Sequence, residues 1–151
     1  MEYALAQLNL AVMKYPLESG EMAEFTANLD RINQLAESSS GFIWRLQDEG
    51  GDATALRPFG DDMLVNLSLW QDVDSLHAFV FGSAHKSFVK RRSEWFDKMS
   101  DAYVVLWWLP SGELPTLEDA GRRIACLRSD GPGPEAFTFR ERFSPPGNDS
   151  A

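Results

Sequence analysis

What most restricts the fold of this chain is the order in which two hydrophobic rhythms follow one another. Residues 3–12 alternate, with Ala4, Ala6, Leu8 and Leu10 toward one face and Leu5, Gln7 and Asn9 toward the other, as a strand requires. After a break marked by Pro16 and Gly20, Met22, Phe25, Leu29, Ile32 and Ala36 recur every three or four residues. This is the stripe of an amphipathic helix over residues 21–38. Strands follow at residues 42–47 and 63–70, joined by a loop with glycines and Pro58. Asp72 stands as an N-cap before Val73, Leu76, Phe79 and Val80, and Gly82 and Ser83 divide that helix from a second helical run over residues 84–96. Residues 103–109 are apolar on both sides, the mark of a strand covered on both faces, and Pro110 closes it.

This β-α-β-β-α-β order is that of a ferredoxin-like α+β fold, an antiparallel four-stranded sheet with its helices on one face. Thr116, with Glu118 and Asp119 behind it, opens a further C-terminal helix to about residue 128, and a short extended piece at residues 136–143 follows. At 151 residues the chain suits one core, so a domain over residues 1–143 and a flexible tail over 144–151 are expected.

A sheet with helices on one face leaves the other face to be covered. The uncovered face is expected to carry Leu5, Gln7, Asn9, Leu64, Asn66, Ser68 and Trp70, too apolar a set to lie in water. Either a second copy of the chain or the C-terminal helix must cover it. A homodimer is the expectation, with a small-molecule cavity lined by Gln7, Asn9, Asn66 and Ser68. The competing use of these groups is to hydrogen-bond one another inside a filled core.

On the helical run from residue 84, His85, Phe88 or Val89, Arg92, and Trp95 or Phe96 fall on one stripe. An imidazole moves protons near neutral pH and a guanidinium grips a carboxylate or enolate through paired hydrogen bonds. His85 and Arg92 are therefore the candidate catalytic pair. The same residues also suit a helix cap and a solvated basic face beside Lys86, Lys90 and Arg91. Trp44, Trp70 and Trp107 lie in strands, where each can pack the core or wall a pocket for a flat apolar ligand.

Composition narrows the partners. A formal net charge of −9 disfavours nucleic acid and anionic membrane surfaces. The first residues show no basic segment followed by an apolar run, so a cytoplasmic location is expected. Cys126 is the single cysteine, which rules out an intrachain disulfide. Two histidines and one cysteine cannot close a usual zinc site, no calcium-loop spacing occurs, and Gly50-Gly51 does not continue as a phosphate loop. Neither a metal nor a nucleotide cofactor is expected.

Several segments together resemble a known family: Leu5-Ala6-Gln7-Leu8-Asn9, Gly41-Phe42-Ile43-Trp44-Arg45-Leu46, Leu64-Val65-Asn66-Leu67-Ser68-Leu69-Trp70, Ser83-Ala84-His85, Arg91-Arg92-Ser93-Glu94-Trp95-Phe96 and Leu106-Trp107-Trp108. They are similar to the bacterial domain-of-unknown-function family 3291, within the dimeric α+β barrel superfamily, and the likeness runs on to Pro134–Phe139. It implies a fold and a pocket between sheet and helices toward which His85, Arg92, Trp44, Asn66 and Gln7 point. Relatives in that superfamily include cofactor-free monooxygenases, haem-containing aldoxime dehydratases, polyketide cyclases and stress-responsive barrels, so the resemblance selects no reaction. The leading expectation is an enzyme without metal or nucleotide, acting on a small apolar or aromatic compound, with His85 as acid or base and Arg92 or the amides on an oxyanion. A non-catalytic binding barrel and a haem-dependent barrel ligated by His85 are the alternatives.

Overall fold

β1 (Tyr3–Met13) is the spine of a five-stranded antiparallel sheet in the computed structural model, which describes residues 2–47, 56–82, 91–99 and 101–146. Along one edge β1 pairs with β3 (Met63–Trp70), whose far edge holds β2 (Phe42–Arg45). Along its other edge it pairs first with β5 (Val104–Pro110), through residues 3–9, and then with the two-residue β4 (Phe96–Asp97), through Val12 and Met13. The four main strands thus lie in the order β2-β3-β1-β5, the ferredoxin-like arrangement that the chain order predicts.

Alternation along β1 sorts the core into two layers. Ala4, Ala6, Leu8 and Leu10, with Val65, Leu67 and Leu69 of β3 and Val105 and Trp107 of β5, are buried beneath helix α4 (Leu117–Asp130), which contributes Ala120, Ile124 and Leu127. On the opposite face Leu5, Trp70 and Leu106 pack under Ala36 of α1 (Ala23–Glu37) and Val73 and Leu76 of α2 (Val73–Val80). Toward the other end of that face, Ala11 and Leu64 meet Phe25 of α1, Trp95 and Phe96.

The face assignment made from the sequence is therefore reversed. The partly polar face of Gln7, Asn9, Asn66 and Ser68 lies under α1 and α2, and the wholly apolar face is the one beyond the helix pair. Alternation fixes which residues share a face, but not which face the crossover helices take. α4 covers that apolar face from within the chain.

Local chemistry sets the element ends. Asp72 caps α2, its Oδ1 accepting the Ser75 N–H at 2.8 Å, and Thr116 caps α4, its Oγ1 accepting the Asp119 N–H at 3.1 Å. Between α1 and β2, Gly41 has φ of 86°, and a Cβ built there would overlap the Ser75 side chain. The helical run expected over residues 84–96 falls partly outside the described residues, at 84–90. Its described end is a short helix α3 (Arg92–Trp95), and Phe96 then turns extended, with φ −128° and ψ 144°, to enter β4. The described part of the expected run is thus not one continuous helix: Arg91, with φ −92° and ψ 4°, stands outside α3 as its N-cap, and Phe96 leaves it for a strand partner in Met13.

After α4 the chain returns along the outer edge of β5. Phe137 and Leu106 exchange both backbone hydrogen bonds at 2.8 Å, covering an edge that would otherwise be open. Phe137 is fully buried, and the Trp108 indole N–H donates to the Phe143 carbonyl at 2.7 Å. Among the described residues, no helix is long and apolar enough to cross a membrane.

Candidate functional site

Where α1 and α2 stand over the centre of the sheet, they leave a cavity of about 400 Å³. Its size matches a small organic molecule. The roof and walls are mostly apolar: Phe25, Leu29 and Ile32 from α1, Leu76 and Phe79 from α2, Phe42 and Trp70 from the strands, Trp95 from α3 and Phe139 from the returning chain. The floor is different, being formed by Gln7, Asn9, Asn66 and Ser68.

These four residues form two facing pairs on neighbouring strands, Gln7 opposite Ser68 and Asn9 opposite Asn66. Gln7 and Ser68 are each only 5% exposed, and they are the buried polar residues of the described chain. A short relay orders them. The Trp70 indole N–H donates to the Ser68 hydroxyl at 3.0 Å, and that hydroxyl donates to Gln7 Oε1 at 3.3 Å. With its carbonyl engaged, Gln7 keeps its amide N–H₂ as a donor at the cavity floor.

Arg92 enters the site through a discontinuity in the sheet. β1 exchanges its edge partner from β5 to β4 between Asn9 and Val12, and the Leu10 carbonyl falls in that gap. An Arg92 N–H donates to this carbonyl at 3.2 Å, and the guanidinium lies 4.8 Å from the Tyr103 ring centre and 5.4 Å from that of Phe96. Burial pushes its pKa below the usual guanidinium value, while the neighbouring Tyr103 acts in the opposite direction. Next to it, Arg91 holds α3 to α1 by ion pairs to Glu24 and Glu94.

Of the residues expected to form the site, Gln7, Asn9, Asn66, Ser68, Trp70, Arg92 and Trp95 all line the cavity. His85 and Phe88 lie outside the described residues. Trp44 and Trp107 belong elsewhere, because both pack on the α4 face. For Trp107 the cause is alternation: it stands opposite Ala6, whereas Leu106 and Val104 stand opposite Gln7 and Asn9. For Trp44 it is a β-bulge, since Phe42 pairs with Trp70 but Trp44 pairs with the very next residue, Leu69. The extra residue, Ile43, is half exposed and turns Trp44 to the opposite side from Phe42.

The same bulge delivers a residue that the sequence reading missed. Arg45 pairs with Ser68 and lines the cavity, with its Nε buried, 3.4 Å from a Glu37 carboxylate oxygen and without a hydrogen bond. Its one signal in the sequence is a charge inside an otherwise apolar strand. His77, the other histidine, packs its ring 4.4 Å from Phe81 and 5.8 Å from Phe139. Among the described residues, no three His, Cys, Asp or Glu side chains gather as a metal would need.

The fold and site thus define a ferredoxin-like α+β protein with an amide-floored cavity between sheet and helices. A model of the family described as Domain of unknown function (DUF3291) matches residues 4–151, and the chain belongs to that family. No curated protein matches it. Among solved structures, the chain is similar to the NE2512 protein of unknown function from Nitrosomonas europaea, with 16% identity, a TM-score of 0.50 and coverage of 76% of this chain and 96% of that one. A conserved protein from Methanosarcina mazei Go1 gives 17% identity, a TM-score of 0.49 and coverage of 69% and 90%. SnoaB, a cofactor-independent oxygenase from Streptomyces nogalater, gives 13% identity, a TM-score of 0.43 and coverage of 78% and 98%. At 16% identity the likeness to the Nitrosomonas europaea protein is one of fold.

Proposed function

We propose that this chain holds a small, mostly apolar or aromatic compound in the cavity and acts on it without metal or nucleotide, stabilising an oxyanion with donors from the sheet. The observation that carries this reading is the contrast between an aromatic roof and a floor of preset donors. Gln7 N–H₂, Asn9, Asn66 and Arg92 border the cavity, with Gln7 buried, Asn9 and Arg92 half-buried and Asn66 exposed, and a hydrogen bond to developing charge is worth most at its buried Gln7 end. Acid-base work on such a compound falls to His85, since none of the described lining residues has an ordinary pKa near neutrality. That last fact also favours a second reading, a binding barrel that holds its ligand unchanged.

Native mass spectrometry of protein purified from its source separates the two. The enzyme reading expects a co-purified small molecule that is converted on incubation, in air or under argon, and left intact by the His85→Ala variant. A ligand recovered unaltered in every condition favours the binding barrel. Protein that carries no ligand and takes up none from a small-aromatic panel contradicts both.

A further inference from the structure

We propose that the molecule occupying this cavity carries an anionic oxygen group, a carboxylate, enolate or phenolate, and that the group sits on the Arg92 guanidinium at the gap between β5 and β4. The inference rests on the small-molecule reading above and gives its ligand a charge.

The chain carries 23 acidic and 14 basic side chains, yet the described residues around the cavity include two arginines and neither aspartate nor glutamate. The two arginines differ. Arg45 has Glu37 beside it, whereas Arg92 meets no carboxylate among the described residues. Of its five N–H donors, one reaches the Leu10 carbonyl, and the guanidinium face rests on Tyr103 and Phe96. A half-buried cation with no counter-ion among the described residues is costly to hold, and an anion arriving with paired hydrogen bonds relieves it.

Placement supports the same ligand. Arg92 binds the carbonyl next to Asn9, so its charge stands at the end of the polar floor while the aromatic walls run away from it. Arg92 also borders a second depression, where Lys14 and Lys98 accompany a single acid, Asp97. The field on that side of the gap therefore favours an anion as well.

The test titrates the intact protein with naphthalene carboxylate and with its neutral carboxamide. Tryptophan fluorescence reports through Trp70 and Trp95, and calorimetry provides an independent readout. The expected result is carboxylate binding at least roughly tenfold tighter than the carboxamide. Arg92→Met should weaken the carboxylate by roughly 10- to 100-fold and leave the carboxamide unchanged, the range for losing a hydrogen bond to a charged group. Arg92→Lys, which keeps the charge and loses the planar fork, should fall between, and the comparison on the unmodified protein needs no variant to fold.

Equal or tighter binding of the carboxamide overturns the charge inference and leaves the cavity reading standing. Binding of neither compound overturns both. A carboxylate preference that survives Arg92→Met but disappears in Arg45→Met assigns the wrong arginine and overturns the placement.

Discussion

Replacing Ser68 by alanine tests the relay that presets the cavity floor. The Ser68 hydroxyl is the acceptor for the indole N–H of Trp70, a side chain only 1% exposed. Without it, that N–H is left buried and unpaired, at a cost of about 1–3 kcal/mol. The hydroxyl's own bond to Gln7 Oε1 is longer, 3.3 Å, and Gln7 borders a cavity in which water can replace it, so this loss adds little. The expected total is about 2 kcal/mol, or roughly 4–8 °C in melting temperature for a chain of this size.

Trp70→Phe supplies the control, because phenylalanine has no N–H to strand. In that background Ser68→Ala should cost about 0.5 kcal/mol or less, giving a coupling near 1.5 kcal/mol in urea unfolding. Equal costs in the two backgrounds would refute the relay and, with it, the reason for Gln7 presenting its N–H₂ to the cavity.

Other consequences follow from the same geometry. Gly41→Ala places a Cβ at positive φ against Ser75 and should destabilise by at least about 2 kcal/mol, measurable by urea unfolding. Ile124→Asp should loosen α4 and bare the apolar face of Leu8, Leu67 and Trp107, with new aggregation in light scattering; a variant that stays monodisperse and as stable as the parent would contradict the covering role of α4. Glu94 is held below the ordinary carboxylate range by its hydrogen bond from Arg91. Its contribution to stability is complete above the unfolded-state pKa and is lost as pH falls through the lowered folded one, so Glu94→Gln should flatten the acid limb of the stability profile.

Much of this architecture can be read from the chain, because its local signals agree with one another. The β3 boundaries, the Asp72 and Thr116 caps and the order of elements all follow from period, cap chemistry and glycine placement. The polar floor is legible too, since Gln7, Asn9, Asn66 and Ser68 interrupt strands at spacing two and so must share faces.

What escaped depends on tertiary choices that leave little local trace. The helices could have settled on either side of β1, and Ala4-Ala6-Leu8-Leu10 is as good a bed for α4 as for α1. The bulge at Ile43 adds one residue and so exchanges the roles of Trp44 and Arg45, although nothing in Phe42-Ile43-Trp44-Arg45 announces it. The apolar residues of α1 read equally as core, and only the packed structure shows that Phe25, Leu29 and Ile32 roof a cavity.

Two-dimensional NMR of the side-chain amides and indoles tests the central claim most directly, because Gln7, Asn9, Asn66 and Trp70 carry nitrogen-bound protons at the cavity. On addition of naphthalene carboxylate, the account predicts that the Gln7, Asn9 and Asn66 amide signals and the Trp70 indole signal shift together, while the Trp107 indole on the opposite face stays in place. Shifts at Trp107 or at surface amides, with the floor amides unmoved, would contradict it.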